Sequence, residues 1–574
     1  MAQDSATQGS GEWSRAEPQD RAASPSRIGA DRADVERTRA AAVAPAGENR
    51  DDGHPRRWIV LGVLVFALLV VVLDNTVLNV ALKTISEPAP VGIGASQSDL
   101  EWAINSYTLI FAGLLFTWGL LADRLGRKRI LLLGMLMFGL SSLLCAYCST
   151  PAELIAARAA MGLSGAAIMP PTLAVISNVF PRREQGKAIG IWSGSVGLAI
   201  AIGPVVGGAL LDNFWWGSVF LINVPIVAIA LVVMIFIVPE SKNPRPGRLD
   251  PIGVLLSTGG LVSLVYGIIE GGDNGDWSSP TVWGTGVGGL ALLTCFVLWE
   301  QRVAFPALDV RLFRNRPFSA AVISVGLSFF ALMGGLFFFS FYLQSVRGYS
   351  PLHAGLWLLP FAATQVIFSP LSAGMVRRFG ARAVACVGLT LVGVSFLLFQ
   401  LVTVDSAMWI FGLVASIQGM AMANVMPPAT TTVMGSLPRE RAGVGSSINN
   451  TVRQVGGALG IAVLGTVLTS VYRGRIQPLL VAHGVPSGPA HDIAGSIQAT
   501  QAFVAQQQAT RPQVRDVISP ANDAFLHAMH ITTLVAACVM FFAAVVVLAW
   551  LPRRGSGQPS GAGDPAHAAE SVAA

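Results

Sequence analysis

The sequence predicts an all-α integral membrane fold: fourteen transmembrane helices, arranged as two parallel-repeat six-helix bundles with two inserted central helices. Three observations carry this. Of the 574 residues 53% are apolar and only 12% charged, with a mean hydropathy of +0.59, whereas a soluble domain carries about twice that charged fraction. Apolar runs long enough to cross a bilayer as helices recur along the chain. Finally, two stretches of sequence repeat at a nearly constant offset.

Residues 1–57 hold almost no large apolar side chain and are rich in Ala, Arg, Asp, Glu, Ser and Pro. They read as a disordered cytoplasmic tail and not as a signal peptide. The runs then fall near 58–82, 100–122, 130–148, 153–179, 186–211 and 218–239, an N-terminal six-helix bundle over 58–239. A linker over 240–317 carries two inserted spans, 250–270 and 281–299. The C-terminal bundle, 318–551, takes its spans from 318–343, 353–376, 382–403, 408–434, 446–471 and 526–551, and includes an extracellular loop, 472–525, whose Gln, Ala, Pro and Ser content predicts flexibility. Residues 552–574 form a second cytoplasmic tail.

The connections sort these spans into one orientation. DRLGRKR (123–129), PRREQGK (181–187), PESKNPRPGR (239–248), EQRVAFPALDVRLFRNR (300–316), RRFGAR (377–382) and PRERAG (438–443) carry the basic residues. Most of the alternate short connections have none, Lys83 and Arg347 being the exceptions. Basic loops stay in the cytoplasm, so both termini are expected there. The same asymmetry accounts for the net charge of +6, and no nucleic-acid partner is implied. The five cysteines, Cys145, Cys148, Cys295, Cys386 and Cys538, all lie in apolar segments. Cys145 and Cys148 have redox spacing but no second pair, so they read as small apolar residues of a membrane helix.

The repeat links MPPTLAVISNVFPRREQG, from Met169, to MPPATTTVMGSLPRERAG, from Met426, at an offset of 257. Gly162 then aligns with Gly419 and Gly203 with Gly460; ADRLGRKR (122–129) matches VRRFGARA (376–383) more weakly, at 254. The two halves therefore share one orientation. Parallel six-helix halves about an axis along the membrane normal are the layout of a rocking transporter, with its site at the midplane.

Within the first span, VVLDNTVLNVAL (71–82) holds Asp74. A carboxylate there costs about 2.5–3.5 kcal/mol on insertion scales. Asp74 is roughly 12 Å below the outer helix end at 1.5 Å per residue, and Arg158 in the fourth span has a similar depth. Burial disfavours the charged form of a carboxyl and a nearby guanidinium favours it, so the two together make a group that can exchange a proton. A fixed structural ion pair is the plainer alternative. The second half lacks the pair: Ala415 aligns with Arg158, and 328–331 holds no acid.

Taken together these motifs resemble the major facilitator superfamily, and within it the fourteen-helix branch of drug:proton antiporters. GLLADRLGRKR (119–129) is similar to its signature after helix 2, LIAARAAMGLSGAA (154–167) to its helix 4 motif, GLAIAIGPVVGG (197–208) to its helix 5 antiporter motif, and LDNTVLNVAL (73–82) with FLINVPI (220–226) to motifs of the branch. Two positions depart from the pattern: Lys83 stands where the helix 1 motif ends in proline, and 215–218 reads Trp-Trp-Gly-Ser without the usual arginine.

The resemblance implies proton coupling at Asp74 and Arg158. Asp123, Arg124, Gly126 and Arg127 are read as a cytoplasmic latch, with Gly126 permitting the turn. Gly203, Pro204, Gly207 and Gly208 supply close helix packing, as small residues do in membranes, and Pro204 a kink. Phe337, Phe341, Tyr342 and Gln344, together with Asn449, Asn450, Arg453 and Gln454, are the candidate cavity lining: aromatics for a lipophilic substrate, and polar groups unsuited to lipid.

No phosphate loop and no His-Glu-x-x-His site occurs in the sequence. The expectation is therefore no metal, no cofactor and no enzyme, with a proton gradient as driving force and small-molecule substrate, protons and the lipid bilayer as partners. The implied protein is a monomer of the bacterial cytoplasmic membrane that exports lipophilic compounds, cations among them. A dedicated metabolite exporter or a proton symporter is the alternative, ahead of a membrane sensor, scaffold or enzyme.

Overall fold

The computed structural model describes residues 54–242, 249–303, 308–436, 442–508 and 511–552, so nearly all of both expected tails lies outside the described residues. The first half comprises α1 (Arg57–Ser86), α2 (Gln97–Leu125), α3 (Arg127–Ala146), α4 (Pro151–Val179), α5 (Arg182–Asn213) and α6 (Ser218–Ile237). The inserted pair is α7 (Pro251–Asn274) and α8 (Pro280–Arg302). The second half comprises α9 (Arg316–Val346), α10 (Pro351–Trp357 continued as Leu359–Phe379), α11 (Ala381–Leu401), α12 (Met408–Val433), α13 (Ala442–Ala482) and α14 (Ile518–Trp550).

Among the described residues thirteen helices are long and apolar enough to cross a membrane, against the fourteen expected. The remaining expected run, 186–211, forms the unbroken helix α5, which continues through Pro204. Local chemistry fixes several starts. Ser96 with Asp99, and Thr150 with Glu153, form capping boxes at α2 and α4, each satisfying backbone donors that a helix leaves open. Asp250 and Asn315 cap α7 and α9.

The sequence repeat is a packing repeat. Gly162 of α4 lies against the Tyr107 backbone of α2, and Gly419 of α12 lies against the Phe361 backbone of α10. Gly203 of α5 meets Thr76 of α1 as Gly460 of α13 meets the Phe330 carbonyl of α9. Any Cβ at these four glycines would collide, so the same pairs of helices approach closely in each half. The turns after α2 and α10 match as well: Gly126 has φ +120° and Gly380 φ +87°, a region that favours glycine.

The inserted pair packs on itself through Gly260 against Leu293 and Gly289 against the Leu264 backbone. Its first member sits where the halves meet at α2 and α13, burying Leu109, Val265, Ile269, Ala458 and Ala462 together. Most of α8 remains exposed along its length.

The expected flexible loop 472–525 is corrected. Helix α13 runs to Ala482, and short helices follow at Ser487–Ile493 and Ile497–Gln507. Ala490, Ile497 and Val504 of these helices and Ala494 between them are buried, and the Tyr472 hydroxyl donates to Thr500 Oγ1 at 2.9 Å. Sparse apolar positions at helical spacing, diluted by Gln and Ala, gave the segment its loop-like composition.

Candidate functional site

The structure brings Asp74 and Arg158 together. Helix α1 carries Asp74, 2% exposed, and α4 carries Arg158, 0% exposed. Arg158 Nη1 lies 2.5 Å from Asp74 Oδ2, and Arg158 Nε donates to the Ala103 carbonyl of α2 at 3.1 Å. The guanidinium carbon stands 4.5 Å from the Tyr107 ring centroid and 5.8 Å from that of Phe220, adding cation–π attraction where water is excluded.

The second carboxylate oxygen is held by a residue the sequence reading did not assign. Asn223, inside FLINVPI, donates from Nδ2 to Asp74 Oδ1 at 3.1 Å and to Ser142 Oγ at 3.1 Å. Ser142 in turn donates to the Phe220 carbonyl at 2.8 Å. An asparagine inside the apolar run 218–239 was the available signal, since polar groups at membrane depth find partners. Helices α1, α2, α3, α4 and the start of α6 therefore converge on one carboxyl. Arg158 Nη2 has no hydrogen-bond partner among the described residues, which leaves polar capacity beside the pair.

The helix 5 motif divides into two functions. Gly203 and Gly207 bring α5 against α1 at Thr76 and Val77, directly beyond Asp74. Pro204 and Gly208 face the other half: the Pro204 carbonyl lies against Gly355, and a Cβ on Gly208 would stand 2.5 Å from Leu352 Cα.

At the basic face, Arg127 pairs with Asp123 at 2.9 Å and donates to the Ala174 carbonyl of α4 at 3.2 Å. Glu240, past the end of α6, accepts from the Lys128 backbone N–H at 3.2 Å and lies 3.7 Å from Arg129. It supplies the carboxylate expected at a helix N-terminus, a residue sequence reading missed. Gly126 leaves room for it, as a Cβ there would come within 2.7 Å of Glu240. These contacts join α2, α3, α4 and the end of α6, all in the first half. Arg124 stands in the last turn of α2.

The α9 group of the candidate cavity lining does not border the crevice found in this half. Phe337, Phe341, Tyr342 and Gln344 are all buried, at most 1% exposed. Phe337 stacks edge-on to Phe341, and Tyr342 donates to the Thr403 carbonyl at 3.0 Å. Gln344 ties α9 to α1, since its Nε2 donates to the Val80 carbonyl at 2.9 Å and its backbone carbonyl accepts from Lys83 Nζ at 3.1 Å. Lys83, the departure from the family pattern, thus has a structural role. The crevice in this half is narrow and apolar, and lies beside those residues: Leu336, Phe339, Phe361, Phe411, Ala415 and Gln418 line it. Asn449, Asn450, Arg453 and Gln454 are half-buried on α13, with Arg453 standing 4.4 Å from the centroid of the Phe329 ring.

Among the described residues no group of three or more His, Cys, Asp or Glu side chains is placed to hold a metal.

Residues 64–461 match the family model described as Major Facilitator Superfamily. The chain is 34% identical over 496 residues to a protein of Mycolicibacterium smegmatis named multidrug efflux pump LfrA, covering 86% of this chain and 96% of the relative. It is 35% identical over 500 residues to the multidrug resistance protein Stp of Mycobacterium tuberculosis, covering 85% and 90%. It is 33% identical over 424 residues to the methyl viologen resistance protein SmvA of Salmonella typhimurium, covering 74% and 84%. A crystal structure of a bacterial homologue of the human lysosomal transporter Spinster superposes with a TM-score of 0.60 at 19% identity, covering 87% of this chain and 99% of that one. Fold, packing repeat and family match agree: the chain is a multi-pass membrane protein that belongs to the major facilitator superfamily.

Proposed function

We propose that this protein is a proton-coupled antiporter that exports lipophilic compounds, cations among them, by alternating access. One observation carries the coupling: a carboxyl and a guanidinium, both buried at membrane depth, paired at 2.5 Å in one half only. Embedded ionisable groups are costly and mark ion or proton pathways. Asp74 is the group that takes and releases the proton. Arg158 cannot deprotonate and stabilises the ionised carboxylate. The names of the relatives, which include multidrug efflux and methyl viologen resistance, support export of diverse compounds.

The basic connections put that face in the cytoplasm of a bacterial cell, with both tails on the same side. The protein works as a monomer, needs no cofactor and carries out no covalent chemistry.

The test uses everted membrane vesicles holding the parent or Asp74→Asn protein at measured, equal levels. A fluorescent lipophilic cation should collapse a preformed proton gradient with the parent and not with Asp74→Asn. Equal collapse with both would remove Asp74 from coupling, and none with either would remove this substrate class.

The apolar crevice holds about 10 Å³ in this structure, room for about one water, so it takes the lipophilic part of a substrate only in a state where it widens. Ala415, at the position equivalent to Arg158, is a small residue in its wall. Replacing it with phenylalanine should narrow the substrate range: export of bulky compounds falls while that of small ones persists, as read by growth across a panel of graded size.

A further inference from the structure

Carboxyls other than Asp74 are also buried. Asp250 accepts from Gly253 N–H and Trp299 Nε1–H, and Glu300 accepts from Leu308 N–H. Glu101 of α2 differs. It is 2% exposed, its Oε2 has no hydrogen-bond partner, and no described cation pairs with it. It points into a small polar crevice that it shares with Gln97, Ser98, Asp273, Thr466 and Thr469. Gln97 Nε2 is also unpartnered and buried. The carboxyl lies against the α13 backbone at Gly465, where any Cβ would overlap it.

Three helices of different provenance meet here: α2 of the first half, α7 of the inserted pair and α13 of the second half. The charged groups around the crevice do not neutralise Glu101. Asp273 from α7 has the same sign; it accepts from Ser98 at 3.0 Å and pairs with Arg473 of α13 at 3.7 Å. Arg473 is also committed to the Gly272 carbonyl at 2.7 Å and feels Asp492. His491 meets the Asp273 carbonyl at 3.2 Å.

We propose that Glu101 is a second proton-binding site, and that its protonation accompanies closing of the seam between α2, α7 and α13. An ionised carboxylate without a cation, next to another acid, is strongly disfavoured out of water. The closed seam therefore holds the neutral acid, and loss of the proton requires water to enter, which parts the helices. Closure and proton binding are linked, each favouring the other. The proposal rests on the antiporter reading for its direction: the seam lies at the end opposite the basic face, so the proton comes from outside.

The full-length protein in lipid nanodiscs provides the test. Infrared difference spectra between acidic and alkaline buffer follow the carbonyl band of protonated carboxyls. Glu101→Gln should lose one pH-sensitive band that Asp74→Asn keeps, and Glu101→Asp should shift that band. A Thr469→Cys background reports closure: labelling at position 469 by a water-soluble maleimide, read by mass spectrometry, should rise with pH and stay low when Glu101→Gln is added. A Glu101→Gln spectrum identical to the parent's, or an unchanged labelling profile, would overturn the proposal. Should Glu101→Gln fail to fold, an unshifted band in Glu101→Asp does the same. Failure of the Asp74 reading shows in the vesicle assay and leaves the Glu101 band in place, so the two are separable.

Discussion

Asp74→Asn should destabilise the protein more than Arg158→Gln, although each removes one side of the same 2.5 Å pair. Breaking a buried ion pair by deleting one partner costs about 3–5 kcal/mol, because the other charge is left unpaired. Arg158 has no neutral form to retreat to, so Asp74→Asn bears that full cost. When Arg158 is replaced instead, Asp74 can take a proton and keep its hydrogen bond from Asn223. The sign with pH follows. Holding a proton on Asp74 becomes about 1.4 kcal/mol harder per pH unit, so Arg158→Gln should lose stability as pH rises, whereas this site in Asp74→Asn should not respond. Melting midpoints of purified variants in one detergent, at acidic and alkaline pH, would show it. Equal midpoints with equal pH slopes would mean that the pair is not the buried contact described.

Gly208→Ala should abolish most transport without unfolding the protein. The added methyl would stand 2.5 Å from Leu352 Cα and 2.6 Å from the Pro351 carbonyl, backbone atoms of the opposite half. Overpacking costs about 1–3 kcal/mol, and here parting α5 from α10 relieves it. A change of 1.4 kcal/mol shifts a two-state balance tenfold, so the protein should dwell with this end open. Gly203→Ala makes the contrast. Its methyl meets Thr76 of α1 within the first half, so it should lower the melting midpoint instead. Export rate and midpoint, measured together for both variants, separate the roles; a lowered midpoint in Gly208→Ala would count against an access role for this contact.

Where the sequence was legible, rarity and period made it so. A lone Asp and a lone Arg at matching depth in apolar runs have few possible partners, and the structure pairs them. Glycines at a fixed offset became matched helix contacts because only a missing Cβ allows them. Facing was harder to read. Phe337, Phe341, Tyr342 and Gln344 had suitable chemistry for a cavity, yet polarity and size do not say which neighbour a helix face meets, and all four are packed. Asn223 lay inside a recognised motif and went unassigned because its partner is 149 residues away. Glu101 stood one residue inside the edge of the apolar run 100–122 and drew no assignment. Glu240, read as part of a basic loop, caps a helix whose start adjoins it only in three dimensions.

The placement of the inserted pair has a consequence for solutes that reach the protein through lipid. Besides the α1–α9 contact, the halves meet at α2 with α13 and at α5 with α10; the first of these is covered by α7, with α8 beyond it. The other, at α5 and α10, has no further described helix over it. A compound partitioned into the hydrocarbon therefore finds one flank screened and one flank bare. For such a compound the molecule has a front and a back, whatever the symmetry of the two halves.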